Sequence, residues 1–286
     1  MILQSEIIDL AEKHSVPPST IDKNWVLGHF IAELFRQKWA REKLIFKGGT
    51  CLKKCYFPDY RFSEDLDFTL TDNNFIITSK LLKKVCDNIY NSIGILFSKV
   101  SLNDTFFLNK KVGYEATIYF WGANHKKSQS PPLSQRWHTS IKLEFIFYEI
   151  IINQPILNKI IGDYSDMQSI EDVYIPCYSI IEIVAEKFRS LIQRSYPAPR
   201  DYYDLWYLIP LLSDKDIDAM LKTFKIKTQF KNVNVTNYLD FFRDSQLKKM
   251  KKAWQNSLKE HLSYSKIPDV EVVIDNLKEF CQKLNW

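Results

Sequence analysis

The sequence has 286 residues, with little glycine, little cysteine and no long apolar run. No stretch approaches the roughly 18 apolar residues that a membrane-spanning helix needs. The beginning, Met1-Ile2-Leu3-Gln4-Ser5-Glu6, lacks a basic stretch followed by an apolar one, so no signal peptide is expected. Five cysteines are an odd and sparse count, which excludes a disulfide scaffold. Cys51 and Cys55, four apart, would share a helix face, but no histidine or further cysteine stands nearby at zinc-finger spacing. Ordinary reduced, partly buried thiols are expected. Internal repeats and low-complexity segments are absent. These absences point to a cytoplasmic protein without a membrane partner.

What is present is a generous core. Apolar residues make up 45% of the chain and aromatics 14%, enough for one large domain or two modest ones. A net charge of +5 mildly favours an anionic partner and decides little else. Of only 7 glycines, two are adjacent, Gly48 and Gly49.

Apolar periodicity predicts helices over 4–14 and 19–42, the second capped by Ser19 or Thr20. Leu44-Ile45-Phe46 reads as a strand running into Lys47-Gly48-Gly49-Thr50, and a helix is expected over 50–56. Phe62 to Leu70 alternates as a strand with Ser63, Asp65 and Asp67 on one face. A helix is expected over 76–97, and strands over 112–121 and 139–147. The polar stretch Gly122 to Arg136, with Pro131-Pro132, reads as a loop. From residue 178 on, the pattern is helical: 178–194, 200–212, 214–224, 235–261 and 269–284. The fold class is therefore α+β, a mixed sheet with helices followed by an all-helical part. The domains are 1–177 and 178–286, the second expected to complete the active-site cleft.

A glycine pair between a strand and a helix lets the backbone approach a ligand closely and aims free amides at an anion. Thr50 adds a hydroxyl. Such a turn is often only structural, but Asp65-Leu66-Asp67 changes the balance by setting two carboxylates side by side on a strand. Like charges so placed are best tolerated when water or a cation neutralises them, and hard oxygens suit Mg²⁺ with substrate phosphates. The ordinary alternative is an exposed acidic strand face. A second metal needs a third carboxylate, and Glu144 in the apolar run Ile141 to Phe147 is the candidate; a simple ion pair with Lys142 is its alternative. In Glu186 to Arg194, Lys187 and Arg194 are seven apart and suited to grasping a triphosphate. Pro197-Ala198-Pro199 precedes Arg200 and a new helix, whose first turns carry Asp201 and Asp204. Helix capping is the plain alternative for those two aspartates.

Taken together, these segments resemble the AbiEii/AbiGii nucleotidyltransferases, toxins of abortive-infection and toxin–antitoxin systems related to the MenT toxins. The matching stretches are Phe46-Lys47-Gly48-Gly49-Thr50-Cys51-Leu52, Arg61-Phe62-Ser63-Glu64-Asp65-Leu66-Asp67-Phe68, Ile141-Lys142-Leu143-Glu144 and the Lys187 to Leu208 block. They run in that order between about residues 20 and 285. The resemblance implies a fold like the DNA polymerase β nucleotidyltransferases joined to a helical lobe. It also implies transfer of a nucleoside monophosphate from an NTP to RNA, such as the acceptor end of tRNA. On this reading Asp65, Asp67 and Glu144 hold a two-metal Mg²⁺ site and act in catalysis with Asp201 and Asp204. Lys47, Gly48, Gly49, Thr50, Ser63, Lys187, Arg194 and Arg200 bind the nucleotide. A cognate antitoxin is a possible partner, without necessary direct contact. Two departures stand out: Glu144 where an Asp is common, and Lys23-Asn24 where Lys-Asp is usual.

Two other functions fit the same residues. One is transfer to a small molecule, as in aminoglycoside nucleotidyltransferases, and the other is a nucleotide-binding regulator without turnover. Retention of Asp65, Asp67 and a third acid speaks against the regulator. Lys222, Lys225, Lys227, Lys231, Lys248, Lys249, Lys251, Lys252 and Lys259 favour RNA over a small acceptor. A solvated lysine face is the bland alternative.

Overall fold

The computed structural model describes every residue except Lys127 and Pro197. The readings that touched those two, in the loop 122–136 and the Pro-Ala-Pro stretch, lie outside the described residues at those points. Two compact units emerge: Met1–Glu149 with Pro155–Cys177, and Ile150–Gln154 with Tyr178–Trp286.

The first unit opens with α1 (Gln4–His14) and α2 (Pro18–Arg36). Neither Ser19 nor Thr20 caps α2, which starts one residue earlier, on Pro18. A proline suits a first helical turn because its missing N–H would have had no partner there. The helix expected over 19–42 is broken at Gln37, whose backbone is extended, and resumes as α3 (Lys38–Lys43). Arg41 stabilises the break by donating to the carbonyls of Phe35 (3.2 Å) and Arg36 (2.7 Å), which the end of α2 leaves unpaired.

Strand β1 (Leu44–Lys47) then runs into α4 (Gly48–Cys51), which continues with wider, π-type winding through Leu52–Tyr56. Strand β2 covers Asp65–Leu70 and does not reach back to Phe62. Its partner β1 turns away at Gly48, so no strand remains for residues before Asp65 to pair with on that side. Helix α5 (Ser79–Ile93) is shorter than expected. The Thr78 hydroxyl accepts from the Leu81 N–H at 3.3 Å, and Gly94 ends the helix in a left-handed conformation, φ 88°. Leu96–Phe97, expected to be helical, is strand β3.

The remaining strands are β4 (Ser101–Phe107), β5 (Lys110–Trp121), β6 (Ser140–Ile146), β7 (Ile156–Lys159) and β8 (Tyr174–Cys177). Strands β4, β7 and β8 went unread in the sequence. The first is largely polar and exposed, and the other two are only four residues long, with Pro176 inside β8. Sheet order is β3-β5-β6-β2-β1-β8-β7, with β4 also on β5, making a mixed eight-stranded sheet. Its apolar face centres on Phe68, whose ring lies 5.2 Å from that of Phe46 and 5.3 Å from that of Phe145. Burial of rings of this size dominates the stability of such a layer. The opposite face carries the charged residues of β2 and β6.

The second unit is helical: α6 (Ile180–Gln193), α7 (Pro199–Leu208), α8 (Asp214–Phe230), α9 (Asp244–Leu258) and α10 (Val270–Gln282). Helix α8 extends six residues beyond the expected 224. The long helix expected over 235–261 is a short turn at Tyr238–Phe241 followed by α9. Asn237 and Asp240 cap that turn reciprocally, which diverts the chain from one continuous helix. Phe188, Phe224, Phe241 and Trp286 form the aromatic centre, with Trp286 within 5.0 Å of each of the three rings. Among the described residues, no helix is long and apolar enough to cross a membrane.

Candidate active site

Lys47 ends β1, and Gly48 turns the chain into α4 with φ at +79°, a backbone that side chains disfavour. A side-chain carbon at Gly48 would collide with the carboxylate of Asp67, and one at Gly49 would come within 2.8 Å of the Arg61 guanidinium and 2.9 Å of the Ser63 hydroxyl. The glycine turn is therefore packed directly against Asp67, Ser63 and Arg61. Thr50 is buried, and its hydroxyl donates to the Asp65 carbonyl at 2.5 Å, tying the first helical turn to β2.

Strand pairing aligns the acids. Lys47 stands opposite Asp67 on the antiparallel β1–β2 ladder, and Asp67 stands beside Glu144 on the parallel β2–β6 ladder. Glu144 in turn opposes Glu115 on β5. Directly paired residues share a sheet face, so Lys47, Asp67, Glu144 and Glu115 form one row across four strands. Asp65 lies two residues along on the same face, beside Lys142. Asp65 and Asp67 are half-buried, whereas Glu144 and Glu115 are exposed. Negative charge concentrates here, next to a turn with close backbone approach. That combination suits a divalent cation with phosphates.

Glu115 and Arg61 were not singled out as site residues from the sequence. Glu115 carried a weak signal: it is an acid on the face of β5 opposite the buried Tyr114, Ala116 and Ile118. Arg61 opens one of the stretches that carried the family resemblance, but its place beside Gly49 depends on how the chain folds back.

The helical unit holds a second charged group. Lys187 on α6 is nearly buried and pairs with Asp201 at 3.1 Å and with Asp204, which is fully buried. Arg194 pairs with Asp201 as well. The two cations expected to grasp a triphosphate thus converge on carboxylates of α7. Arg194 also lies outside the regular helix, as the extended residue that ends α6, so the seven-residue spacing does not put both on one continuous helical face. Asp201 and Asp204 act here as ion-pair partners rather than caps. Arg200 is half-buried on the first turn of α7.

The basic stretch is less uniform than the lysine spacing implied. Lys227 is fully buried, paired with the equally buried Glu182 at 2.8 Å and donating to the Ile150 carbonyl at 2.8 Å. It belongs to the core of its unit and presents no surface charge. Lys251 pairs with Glu271 at 2.7 Å on the surface. Lys222, Lys225, Lys248, Lys249, Lys252 and Lys259 are exposed, and Lys231 half-buried. Asn24, the departure noted in the sequence, donates to the Tyr164 hydroxyl at 2.9 Å, while Lys23 pairs with Glu64 at 3.1 Å.

The model of one protein family, described as nucleotidyl transferase AbiEii toxin of type IV toxin–antitoxin systems, matches residues 30–276. The chain belongs to the AbiEii nucleotidyltransferase toxins. The match spans the glycine turn, the acidic row and the Lys187–Asp204 group together. A comparison with curated protein sequences finds no match. Among solved structures, the chain is similar to MenT4, a nucleotidyltransferase toxin from Mycobacterium tuberculosis H37Rv. The TM-score is 0.66 at 16% identity, covering 100% of this chain and 91% of that one. At that identity the likeness is one of fold, and the mixed sheet followed by helices is a MenT4-like fold. As an AbiEii nucleotidyltransferase, the protein takes an NTP as substrate and works in a system that also contains an antitoxin.

Proposed function

We propose that the protein transfers a nucleoside monophosphate from an NTP to an RNA acceptor, tRNA in particular, and that Asp65, Asp67 and Glu144 serve Mg²⁺ in that reaction. The observation that carries this reading is the row Lys47–Asp67–Glu144, with Gly48 packed against the Asp67 carboxylate. Hard carboxylate oxygens suit the ion, and Asp65, Asp67 and Glu144 share one sheet face beside the glycine turn. Bound there, Mg²⁺ would offset phosphate charge and favour ionisation of the attacking hydroxyl. Gly48 and Gly49 offer backbone amides to the triphosphate and Ser63 a hydroxyl, while Thr50, buried with its hydroxyl donated to Asp65, holds the turn against β2. Lys47, with Arg61 beside Gly49, supplies positive charge against the developing negative charge of transfer.

The exposed lysines of α8 and α9 support RNA as the acceptor, because phosphate contacts of that kind supply salt-dependent affinity. Burial of Lys227 and pairing of Lys251 reduce that surface and are the observations that favour a small-molecule acceptor instead. Incubation with each labelled NTP, Mg²⁺ and total RNA, with and without RNase, tests the reading. Label in an RNase-sensitive product supports it, and label only in a small, RNase-resistant product overturns the RNA assignment.

A further inference from the structure

Directly after the glycine turn lies a cluster with no part in nucleotidyl transfer. Cys51 on α4, Cys55 on its π-wound continuation and Cys177 on β8 are all buried, and their sulfur atoms lie within 4.8 Å of one another. Among the described residues this is the group of three potential ligand atoms that converges so closely. The i, i+4 spacing sets Cys51 and Cys55 on one helix face, and β1–β8 pairing, Phe46 beside Cys177, brings the third sulfur under it. Local π winding, which is frequent at functional sites, lies at the cluster itself.

We infer that Cys51, Cys55 and Cys177 form a buried three-thiolate site for one zinc ion. Three sulfurs in a dry setting select a soft, thiophilic cation and reject Mg²⁺, whose preference is for oxygen. In a tetrahedral zinc site, here three thiolates with one water at the fourth position, the sulfurs would stand about 3.8 Å apart, from Zn–S bonds of about 2.3 Å. The cluster needs only a small contraction to reach that. Binding converts three thiols to thiolates and releases their protons to solvent, so the ion and its ligands together carry one negative charge. Lys54, itself buried, packs against Gly28 and the Tyr164 ring next to the cluster and can balance that charge.

A further observation agrees. Asn158, whose strand partner is Ile175, lies on the sheet face of Cys177 and has a buried side-chain N–H without a hydrogen-bond partner. An amide donor turned toward a ligating sulfur is a common supporting contact in metal sites. A filled site would pin the helix that begins at Gly48 to strand β8. It is independent of the transfer reaction and stands or falls separately from it.

The test uses the full chain, reduced and refolded with and without ZnCl₂, then desalted for metal analysis. One zinc per chain is expected, retained by Cys86→Ala and Cys281→Ala and lost at least 100-fold in affinity by Cys51→Ala, Cys55→Ala or Cys177→Ala. Refolding with Co²⁺ should give the intense thiolate-to-metal charge-transfer absorption of a sulfur-rich tetrahedral site. Should the alanine variants fail to fold, peptide-resolved alkylation of the wild type decides. Zinc should slow labelling of Cys51, Cys55 and Cys177 in mild denaturant while leaving Cys86 and Cys281 unchanged. No zinc and no cobalt band in folded, reduced protein would overturn the site. So would equal labelling of all five cysteines with and without zinc, or a cluster that only forms a disulfide.

Discussion

Gly48 and Asp67 are in contact in a way that leaves no room for a side chain between them. The glycine's left-handed backbone and the carboxylate's position are mutually dependent, so displacing one displaces the other. Gly48→Ala should therefore impair the enzyme twice. Backbone strain costs about 1–2 kcal/mol, and displacement of Asp67 should lower transfer by roughly 100-fold. Label incorporation alongside urea denaturation reads both, and a variant with normal turnover would mean that the carboxylate's position does not matter.

Asp65→Asn and Asp67→Asn should each abolish transfer, by at least about 100-fold, with the circular dichroism spectrum unchanged. Both residues are half-buried on a polar strand face, so removing a charge there spares the Phe68 core. Full activity in either variant would remove the acidic row from the catalytic account.

Lys187→Ala should cost about 3–5 kcal/mol of stability in the helical unit, because it removes the cation shared by the buried Asp201 and Asp204. Lys187→Arg should restore part of that loss, since the guanidinium keeps the charge but not the reach. Denaturation melts taken beside NTP-dependent rates tell the two roles apart. A large change in KM for NTP with an unaltered melt would make Lys187 a nucleotide ligand and not a structural partner.

Changing Lys248, Lys249, Lys251 and Lys252 to Gln should weaken tRNA binding and RNA labelling while sparing NTP binding. The slope of log affinity against log salt should shrink by roughly 0.7–0.9 for each phosphate that a lysine no longer neutralises. Lys251, already paired with Glu271, should contribute least. Fluorescence anisotropy across a salt series measures this, and an unchanged slope would leave these lysines as a solvated face.

Asp22 offers a pH-dependent test of the first unit. Burial raises its pKa to about 6, against backbone hydrogen bonds from Ala123 and Asn124 that lower it. The folded value lies above the ordinary carboxylate value of about 3.9, so ionisation in the folded state is penalised. Stability should fall as pH rises from about 4 to about 6, by an amount on the order of 3 kcal/mol, and level off above that. Asp22→Asn keeps an acceptor for the Ala123 N–H, bonded at 2.6 Å, and should flatten this window. Melts between pH 4 and 8 would show a parallel dependence in both proteins if Asp22 were not responsible.

Local chemistry was legible in the chain alone. Periodicity marked α1 and, apart from the single helix expected over 235–261, the helices of the second unit, alternation marked β2, and an adjacent glycine pair between a strand and a helix marked the turn at Gly48. Each of these signals is carried by neighbouring residues within one element, where sequence distance and spatial distance agree. Boundaries depended on less local partners: β2 begins where β1 stops pairing with it, and α2 breaks where Arg41 reaches back to two carbonyls.

Tertiary structure decided the rest, because strand register and helix packing bring together residues that no spacing rule connects. Glu115 joins the row of Asp67 and Glu144 only through the β5–β6 ladder. Lys227, one lysine among many in the sequence, is buried because Glu182 lies opposite it on another helix and compensates its charge. The pair Cys51 and Cys55 becomes a group of three only when β8 pairs alongside β1, more than a hundred residues later in the chain.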